Sequence, residues 1–207
     1  MKDILISSII LLNVSIALGQ TTTLWGVTST GGRQNSGTIF CINNDGTDFI
    51  KIHDFDSNIG YSFGNLLLVK DKLWGITVGG KHNGKGKDGT IIRIHDDGSN
   101  FEVIHYFKGI DGSNPLGVLV EQNGKLWGMT NLGGEYDNGV IFNLSKEGKD
   151  FNVIHHFNGI DGSYQRNGLL FHNRKFWGTT SRGGANNMGT IFTITPDETG
   201  IEKIYDF

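Results

Sequence analysis

The chain has 207 residues and a formal net charge of −3, which allows one or two domains with a buried core. The acidic balance argues against a nucleic-acid binder, because neutralising phosphates requires a surplus of Lys and Arg. Glycine supplies 32 residues but proline only 2, which excludes collagen and proline-rich linkers. The single cysteine, Cys41, excludes an internal disulfide and a multi-cysteine zinc site.

Residues 1–19 have the features of a signal peptide. A lysine stands at position 2, a mostly apolar run covers residues 4–17, and Ala17-Leu18-Gly19 puts small residues where signal peptidase prefers them. The apolar run is too short to span a bilayer, which requires about 20 residues, so no transmembrane segment is expected. A buried N-terminal helix or strand is the alternative. We expect cleavage near Gly19 or Gln20, which leaves a mature domain of residues 20–207.

Four copies of one sequence unit make up the rest of the chain. Each copy contains a tryptophan that follows Leu or Phe and precedes Gly, and these tryptophans lie about 50 residues apart. The copies cover about residues 24–72, 73–125, 126–175 and 176–207. A unit of this size cannot bury both of its own faces, so neighbouring copies are expected to pack against each other. The tryptophans are Trp25, Trp74, Trp127 and Trp177.

Each complete copy divides into four predicted strands, rich in β-branched and aromatic residues and separated by Gly, Asn and Asp. We name them strand a (Gly-Leu-Leu-Leu type), strand b (Leu-Trp-Gly-x-Thr), strand c (Gly-Thr-Ile-Phe-x-Ile) and strand d (Phe-x-x-Ile-His-x-Phe). Asp45-Gly46, Asp97-Gly98 and Glu147-Gly148 predict tight turns between strands c and d. The first copy lacks a clear strand a.

Strand d is apolar on both faces. In the second copy, simple alternation puts Phe101, Val103 and Phe107 on one face and Ile104 on the other. A strand that is buried on both faces requires a sheet on each side. A propeller blade meets this requirement because it lies between two other blades. The sequence therefore predicts an all-β fold, a β-propeller of four-stranded blades, with a two-sheet sandwich as the alternative.

The full phrase LWGxTxxGGxxxxGTIFxI…DGxxFxxIHxF resembles the GloVer (Gloeo-Verruco) repeat, over residues 24–207. This resemblance implies a β-propeller-like protein that a bacterium secretes to its periplasm or cell surface, and it implies no particular reaction. The four copies contain only three a strands, and two arrangements are compatible with this number. One is a four-bladed ring with a defective blade. The other is a partial gene product that forms an arc of a larger ring, which is favoured because four blades is the small end of the known range. An open arc would also expose a strand edge through which copies self-associate.

Residues that recur once per copy are expected to have structural roles. The histidine of strand d stands at 53, 105 and 155, with Tyr205 in the fourth copy, and this spacing around a ring keeps the side chains too far apart for a metal site. The polar tip of each of these side chains is expected to form a hydrogen bond with the next blade. The Gly-Gly pairs are followed by a strand rather than a helix, which argues against a nucleotide cofactor. The Asp-Gly-Ser links, at 111–113 and 161–163, predict turns rather than calcium sites.

Residues that break the repeat are better candidates for ligand binding. The second copy has four extra residues, which produce a basic glycine-rich loop over residues 81–88. The b–c and d–a links of a propeller usually share one rim, where Tyr and Arg make contacts that dominate binding. The candidate ligand-binding residues are Arg33, Tyr61, Lys81, His82, Lys85, Lys87, Tyr164, Arg166 and Arg182.

Two functions remain open from the sequence. The first is a secreted, non-catalytic binding or adhesion module for a glycan or a cell-surface protein, without a cofactor. The second is a carbohydrate-active hydrolase or lyase of propeller type, which requires carboxylates about 5–10 Å apart. Glu135 and Asp137 are the nearest candidates for such a pair. We expect binding rather than catalysis, because polar residues of catalytic type occur mostly at positions that repeat.

Overall fold

A computed structural model describes residues 22–62, 64–80, 88–197 and 200–207 of the chain. These residues form four antiparallel sheets, one for each sequence copy, and contain no helix. Each sheet is a blade, as the repeat predicted. In this part of the chain, no helix is long and apolar enough to cross a membrane. The predicted signal peptide, residues 1–19, and the basic candidates Lys81, His82, Lys85 and Lys87 lie outside the described residues.

The blades contain seventeen strands within the described ranges. The first blade consists of β1 (Thr23–Val27), β2 (Thr38–Asn43) and β3 (Ile50–Asp54). The second blade consists of β4 (Tyr61–Ser62), β5 (Leu67–Val69), β6 (Lys72–Val78), β7 (Thr90–His95) and β8 (Glu102–Tyr106). The third blade consists of β9 (Ser113–Pro115), β10 (Val120–Gln122), β11 (Lys125–Leu132), β12 (Val140–Ser145) and β13 (Asn152–His156). The fourth blade consists of β14 (Leu170–His172), β15 (Lys175–Thr179), β16 (Thr190–Ile194) and β17 (Ile201–Asp206).

Strand a is divided in two where the sequence predicted one piece. Both β4 and β5 pair with β6, and both β9 and β10 pair with β11. The interruption in the second blade includes Gly64, whose position is so close to the third blade that a Cβ there would collide with the carbonyl oxygen of Gly117. The backbone therefore leaves the sheet at this point to meet the next blade. The first sheet has three strands among the described residues, which leaves β1 at its edge.

The predicted face of Phe107 is wrong, and a β-bulge explains the error. Ile91 pairs with His105 and Ile92 pairs with Val103, so Ile104 has no partner in the ladder. The extra residue reverses the alternation beyond it. Phe107 therefore packs with Ile104 toward the third blade rather than with Val103 toward the first. The same shift occurs between strands c and d of all four blades.

The predicted turns have the expected backbone. The glycines of the three c–d turns have φ of 85°, 87° and 84° at Gly46, Gly98 and Gly148. All eight residues of the Gly-Gly pairs also have positive φ. Gly133 has φ 78° and lies so close to Gly109 that a Cβ would collide with its carbonyl oxygen. These pairs are thus tight turns where a b–c link contacts a d–a link.

The hydrophobic core consists of layers between consecutive blades. We call the side of a blade that holds the strand-b tryptophan its Trp face. The other side, which holds the residue before that tryptophan, is its Leu face. The Trp face of the second blade, with Trp74 and Ile91, packs against the Leu face of the third, with Leu126 and Phe142. The same contact joins the first blade to the second and the third to the fourth. Trp74 and Trp127 are fully buried, which confirms their predicted packing role.

The faces at the two ends of this row are exposed. On the Leu face of the first blade Phe49 is 60% exposed, and on the Trp face of the fourth blade Leu170 and Tyr205 are 65% and 56% exposed. Leu67 and Val120, which correspond to Leu170 in the inner blades, are packed against the core. The described blades therefore form an open arc rather than a closed four-bladed ring.

Candidate functional site

A cavity of about 670 Å³ opens at the centre of the arc, where the a strands of the second, third and fourth blades begin. We call it the hub pocket. Residues of these three blades line it: Tyr61, Gly64, Asn65, Val78, Asn114, Leu116, Gly117, Val118, Asn131, Arg166, Asn167 and Gly168.

Close approach of backbone segments creates the hub pocket. Gly117 has φ 98°, and a Cβ at this position would lie 2.6 Å from the carbonyl carbon of Asn167 and from the nitrogen of Gly168. Gly64 approaches Gly117 in the same way across the preceding junction. Only glycine can occupy such positions without displacing the neighbouring backbone. The three d–a links therefore converge, and their polar side chains surround a single pocket.

Asparagine dominates the polar lining of the hub pocket. Asn131 is 6% exposed, and its Nδ2 donates to the carbonyl oxygen of Gln165 at 3.0 Å, which fixes its side chain across a blade junction. Asn65 Oδ1 is buried without a hydrogen-bond partner within the described residues. Each amide offers both donors and an acceptor, and Arg166 adds a guanidinium with five donors. Such a lining can both donate hydrogen bonds to hydroxyl groups and accept hydrogen bonds from them.

The structure brings together only part of the predicted rim. Tyr61 and Arg166 both line the hub pocket. Tyr164 and Arg182 contact each other instead, with the Arg182 Cζ 5.0 Å from the centre of the Tyr164 ring. Arg33 is exposed on the first blade. The pKa of the neighbouring Asp54 is lowered mainly by its hydrogen bond with Lys51, and Arg33 adds to that effect.

Two histidines of strand d stack on a ring of the next blade, whereas the sequence predicted a hydrogen bond to that blade. The ring of His53 stacks on that of Phe101 at 3.9 Å between centroids, and the ring of His105 stacks on that of Phe151 at 3.8 Å. In both cases the phenylalanine belongs to the next blade. Burial lowers the pKa of His53 despite the nearby carboxylates of Asp54 and Asp56. These rings are therefore part of the packing between blades.

Two of the histidines also bond to the d–a link. His105 Nε2 lies 3.0 Å from Asp111 Oδ2, and His155 Nε2 lies 2.8 Å from Asp161 Oδ2. The other carboxylate oxygen of Asp111 accepts the backbone N–H of Lys108 at 2.7 Å. Burial opposes ionisation of Asp111, but these hydrogen bonds outweigh it and lower its pKa. The sequence predicted the Asp-Gly-Ser turn but missed the histidine as the partner of its aspartate. A signal was present, because the two copies with His105 and His155 each have an Asp six residues later.

Of the two carboxylates considered for catalysis, that of Asp137 has a role in a turn, and Glu135 contributes its backbone N–H. Asp137 Oδ1 accepts the N–H of Gly133 at 2.8 Å, and the backbone N–H of Glu135 donates to His156 Nδ1 at 3.1 Å. The described ranges hold no group of three or more His, Cys, Asp or Glu side chains that could bind a metal ion. The lining of the hub pocket was missed because its asparagines occupy different positions in different copies.

Comparison with solved structures shows the fold. The arc is similar to a chain of the nidogen/laminin complex, with a TM-score of 0.60, 13% identity, and coverage of 89% of this chain and 60% of that one. It is similar to a prolyl endopeptidase, with a TM-score of 0.57, 12% identity, and coverage of 92% and 29%. Oligogalacturonate lyase from Vibrio parahaemolyticus gives a TM-score of 0.54, 12% identity, and coverage of 88% and 49%. The chain thus spans less than two thirds of each of these proteins, and the shared feature is the β-propeller.

Comparison of sequences shows the family. No curated protein matches the chain. The family model for the Gloeobacter/Verrucomicrobia repeat matches residues 81–207, which is more than half of the chain. This range contains the third and fourth blades and strands β7 and β8 of the second. The chain belongs to the Gloeobacter/Verrucomicrobia repeat family.

Proposed function

We propose that this propeller-repeat protein is a non-catalytic binding or adhesion module, and that its hub pocket binds an oligosaccharide. The observation that supports this proposal is the chemistry of the pocket. Its polar side chains are four asparagines, one arginine and one tyrosine, and the described lining contains no Asp, Glu, His or Cys. The described lining therefore offers hydrogen bonds without a carboxylate, an imidazole or a thiol.

A sugar suits this lining better than an apolar ligand does. Adjacent hydroxyl groups of a sugar both donate and accept, and side-chain amides can do the same. Tyr61 is 42% exposed at the pocket and provides a ring face with a polar tip. A volume of about 670 Å³ also lies within the range of pockets that hold small ligands. Arg166 would favour a sugar that bears a carboxylate, because a guanidinium binds that group through two parallel hydrogen bonds.

A glycan array probed with the labelled protein tests the proposal. Arg166→Ala and Asn167→Ala remove polar groups that are exposed in the pocket. Each is expected to weaken binding of the retained glycan by about tenfold, the equivalent of one or two lost hydrogen bonds. Lys149→Ala removes one charge from an exposed c–d turn and is the matched control. The proposal is wrong if no glycan is retained, or if the pocket variants bind as tightly as the control.

The basic loop supports a second contact with an anionic glycan. Replacing Lys81, Lys85 and Lys87 by Ala is expected to lower retention on a sulfated or uronic-acid column and to reduce its salt dependence, because exposed charges act through a screened attraction. Unchanged retention would remove this loop from the binding surface. A control for total charge replaces three lysines in turns between strands a and b or c and d: Lys70, Lys146 and Lys149.

We further propose that the protein is secreted, on the basis of residues 1–19. Expression of the full chain in a Gram-negative bacterium, followed by mass spectrometry of the intact protein, tests this proposal. The expected product lies in the periplasm or medium and begins near Gln20. A full-length product in the cytoplasm would contradict it.

A carbohydrate-active enzyme remains the alternative, favoured by the similarity to oligogalacturonate lyase. At 12% identity this likeness shows the fold alone. Incubation with polygalacturonate and with the glycans retained on the array, followed by analysis of chain length, separates the two functions. A binding module leaves the glycans intact. Shortened products that disappear in the Arg166→Ala variant would establish catalysis at the hub pocket.

A further inference from the structure

The junctions inside the arc share equivalent contacts. At the first two junctions the strand-d histidine stacks on a phenylalanine four residues before the corresponding histidine of the next blade, as in the His105–Phe151 pair, and at the third junction Ile201 takes the place of that phenylalanine. The tryptophan meets the residue that precedes the next tryptophan, as Trp127 meets Phe176 at 4.7 Å between ring centroids. A Trp face is therefore always covered by the Leu face of the blade that follows.

The first blade has a Leu face of this kind already formed. Phe40 and Phe49 stack at 5.4 Å with 29° between the ring planes. The corresponding rings of the third blade, Phe142 and Phe151, stack at 5.4 Å with 26°. The pair in the third blade is covered by the second blade, whereas Phe49 is 60% exposed. The exposed face thus has the geometry of a covered one.

The fourth blade has the complementary Trp face, also formed. Tyr205 meets Phe207 edge-on at 5.2 Å, as His155 meets Phe157 at 4.9 Å in the third blade. A groove of about 330 Å³ lies beside Trp177 and Leu170. At the junction between the third and fourth blades, Phe176 packs against the corresponding tryptophan. The groove therefore corresponds to a position that a following blade fills.

We propose that a second copy of this chain covers these faces, head to tail. The Leu face of one copy's first blade packs on the Trp face of the other copy's fourth blade. Phe49 stacks on Tyr205, Leu24 fills the groove beside Trp177, and Phe40 meets Phe207 as the corresponding rings do at two inner junctions. At every internal junction a Leu face fits a Trp face, and the described residues expose one of each. Two copies together contain eight sheets, a blade number found in closed propellers.

This arrangement differs from the strand-edge association that the sequence predicted. The contact is between side-chain faces, so it buries apolar rings in addition to any backbone pairing at the edge of β1. Each contact joins two different patches of the chain, and a closed pair of copies contains this contact twice. A variant that is changed in one patch therefore keeps the other patch intact, which can be tested with mixtures of variants.

Analytical ultracentrifugation of the full chain tests the proposal. The expected mass is that of two chains. Phe49→Arg and Leu170→Arg each place a charge in the contact from an exposed position, and each is expected to raise the dissociation constant by more than about 30-fold. Ile110→Arg alters a residue that is also 65% exposed, but on a d–a link, and it should leave the mass at two chains. Circular dichroism confirms that each variant retains its sheets.

Mixing the two variants distinguishes this contact from one in which a face meets the same face of the other copy. A Phe49→Arg copy and a Leu170→Arg copy still have one intact face each, so the mixture should form a two-chain species that neither variant forms alone. Three results would overturn the proposal: a wild-type monomer, a pair that only one of the two substitutions disrupts, or variants that remain single chains when mixed. If a variant loses its sheets, the milder Phe49→Ala and Tyr205→Ala replace the charged substitutions, with the same expected direction.

Discussion

Replacing Asp111 by Asn removes the charge from the contact with His105 but retains an oxygen for the Lys108 N–H. The Asp111 carboxylate makes two hydrogen bonds, of 2.7 and 3.0 Å, and its side chain is 20% exposed. A hydrogen bond to a charged group contributes about 1.5–3 kcal/mol and a neutral one about 0.5–1.5 kcal/mol. With allowance for the partial exposure, Asp111→Asn is expected to lower the free energy of unfolding by about 1–2 kcal/mol at pH 7.

The pH dependence of this loss has a definite sign. Because the pKa of Asp111 is lower in the folded protein, its ionisation stabilises the fold fully above the unfolded-state pKa of about 3.9. This stabilisation is lost as the pH falls through the folded-state pKa. The difference between wild type and Asp111→Asn should therefore shrink when the pH is lowered from 7 to 3.

Guanidinium unfolding followed by tryptophan fluorescence measures both effects. Asp97→Asn is the control, since Asp97 accepts the Ser99 N–H at 2.8 Å in an exposed turn, and its stability should stay close to that of wild type. The reasoning is refuted if Asp111→Asn has wild-type stability at pH 7. It is equally refuted if the loss has the same size at pH 7 and pH 3.

Two further predictions concern blade packing. Burial lowers the pKa of His53, so the folded state disfavours its charged form and stability declines as the pH falls below about 6.5. His53→Phe retains the ring that stacks on Phe101, and it should flatten this decline in unfolding curves between pH 7.5 and 5. Gly117→Ala places a Cβ against the Asn167–Gly168 peptide at positive φ and should cost more than about 2 kcal/mol. Gly124→Ala, with φ 77° and open space around it, should cost only about 1 kcal/mol. Equal losses of unfolding free energy in the two glycine variants would show that the collision of the new Cβ with the Asn167–Gly168 peptide is unimportant.

The periodic features of the sequence predicted the blades well, because the same contact recurs at each junction. The inner tryptophans, Trp74 and Trp127, were assigned correctly to packing. The strand-d histidines were assigned correctly to a structural role, but their contact with the next blade is ring stacking rather than the predicted hydrogen bond. Phe107 was assigned to the wrong face, because simple alternation does not anticipate the bulge at Ile104. The division of strand a depends on the approach of Gly64 to Gly117. That contact is between different blades, so no local pattern contains it.

The candidate site was predicted only in part for a related reason. Tyr61 and Arg166 were selected by residue type on the rim, and both line the hub pocket. The asparagines were not selected, because Asn65, Asn114 and Asn167 do not repeat from copy to copy. They meet only because three links converge on one centre. Residue type thus identified some members of the pocket, while the rest required the geometry of the arc.

Within an unpaired copy, the first sheet as described has three strands and one covered face, which has a consequence for local unfolding. A terminal unit in a repeat array is stabilised by a single neighbour, so it opens at a lower free energy than an inner unit. Amide hydrogens of β2 should therefore exchange with solvent faster than those of β12, which lies between two packed neighbours. Proteases that cleave transiently opened chain would likewise release the first blade before the inner ones are cut.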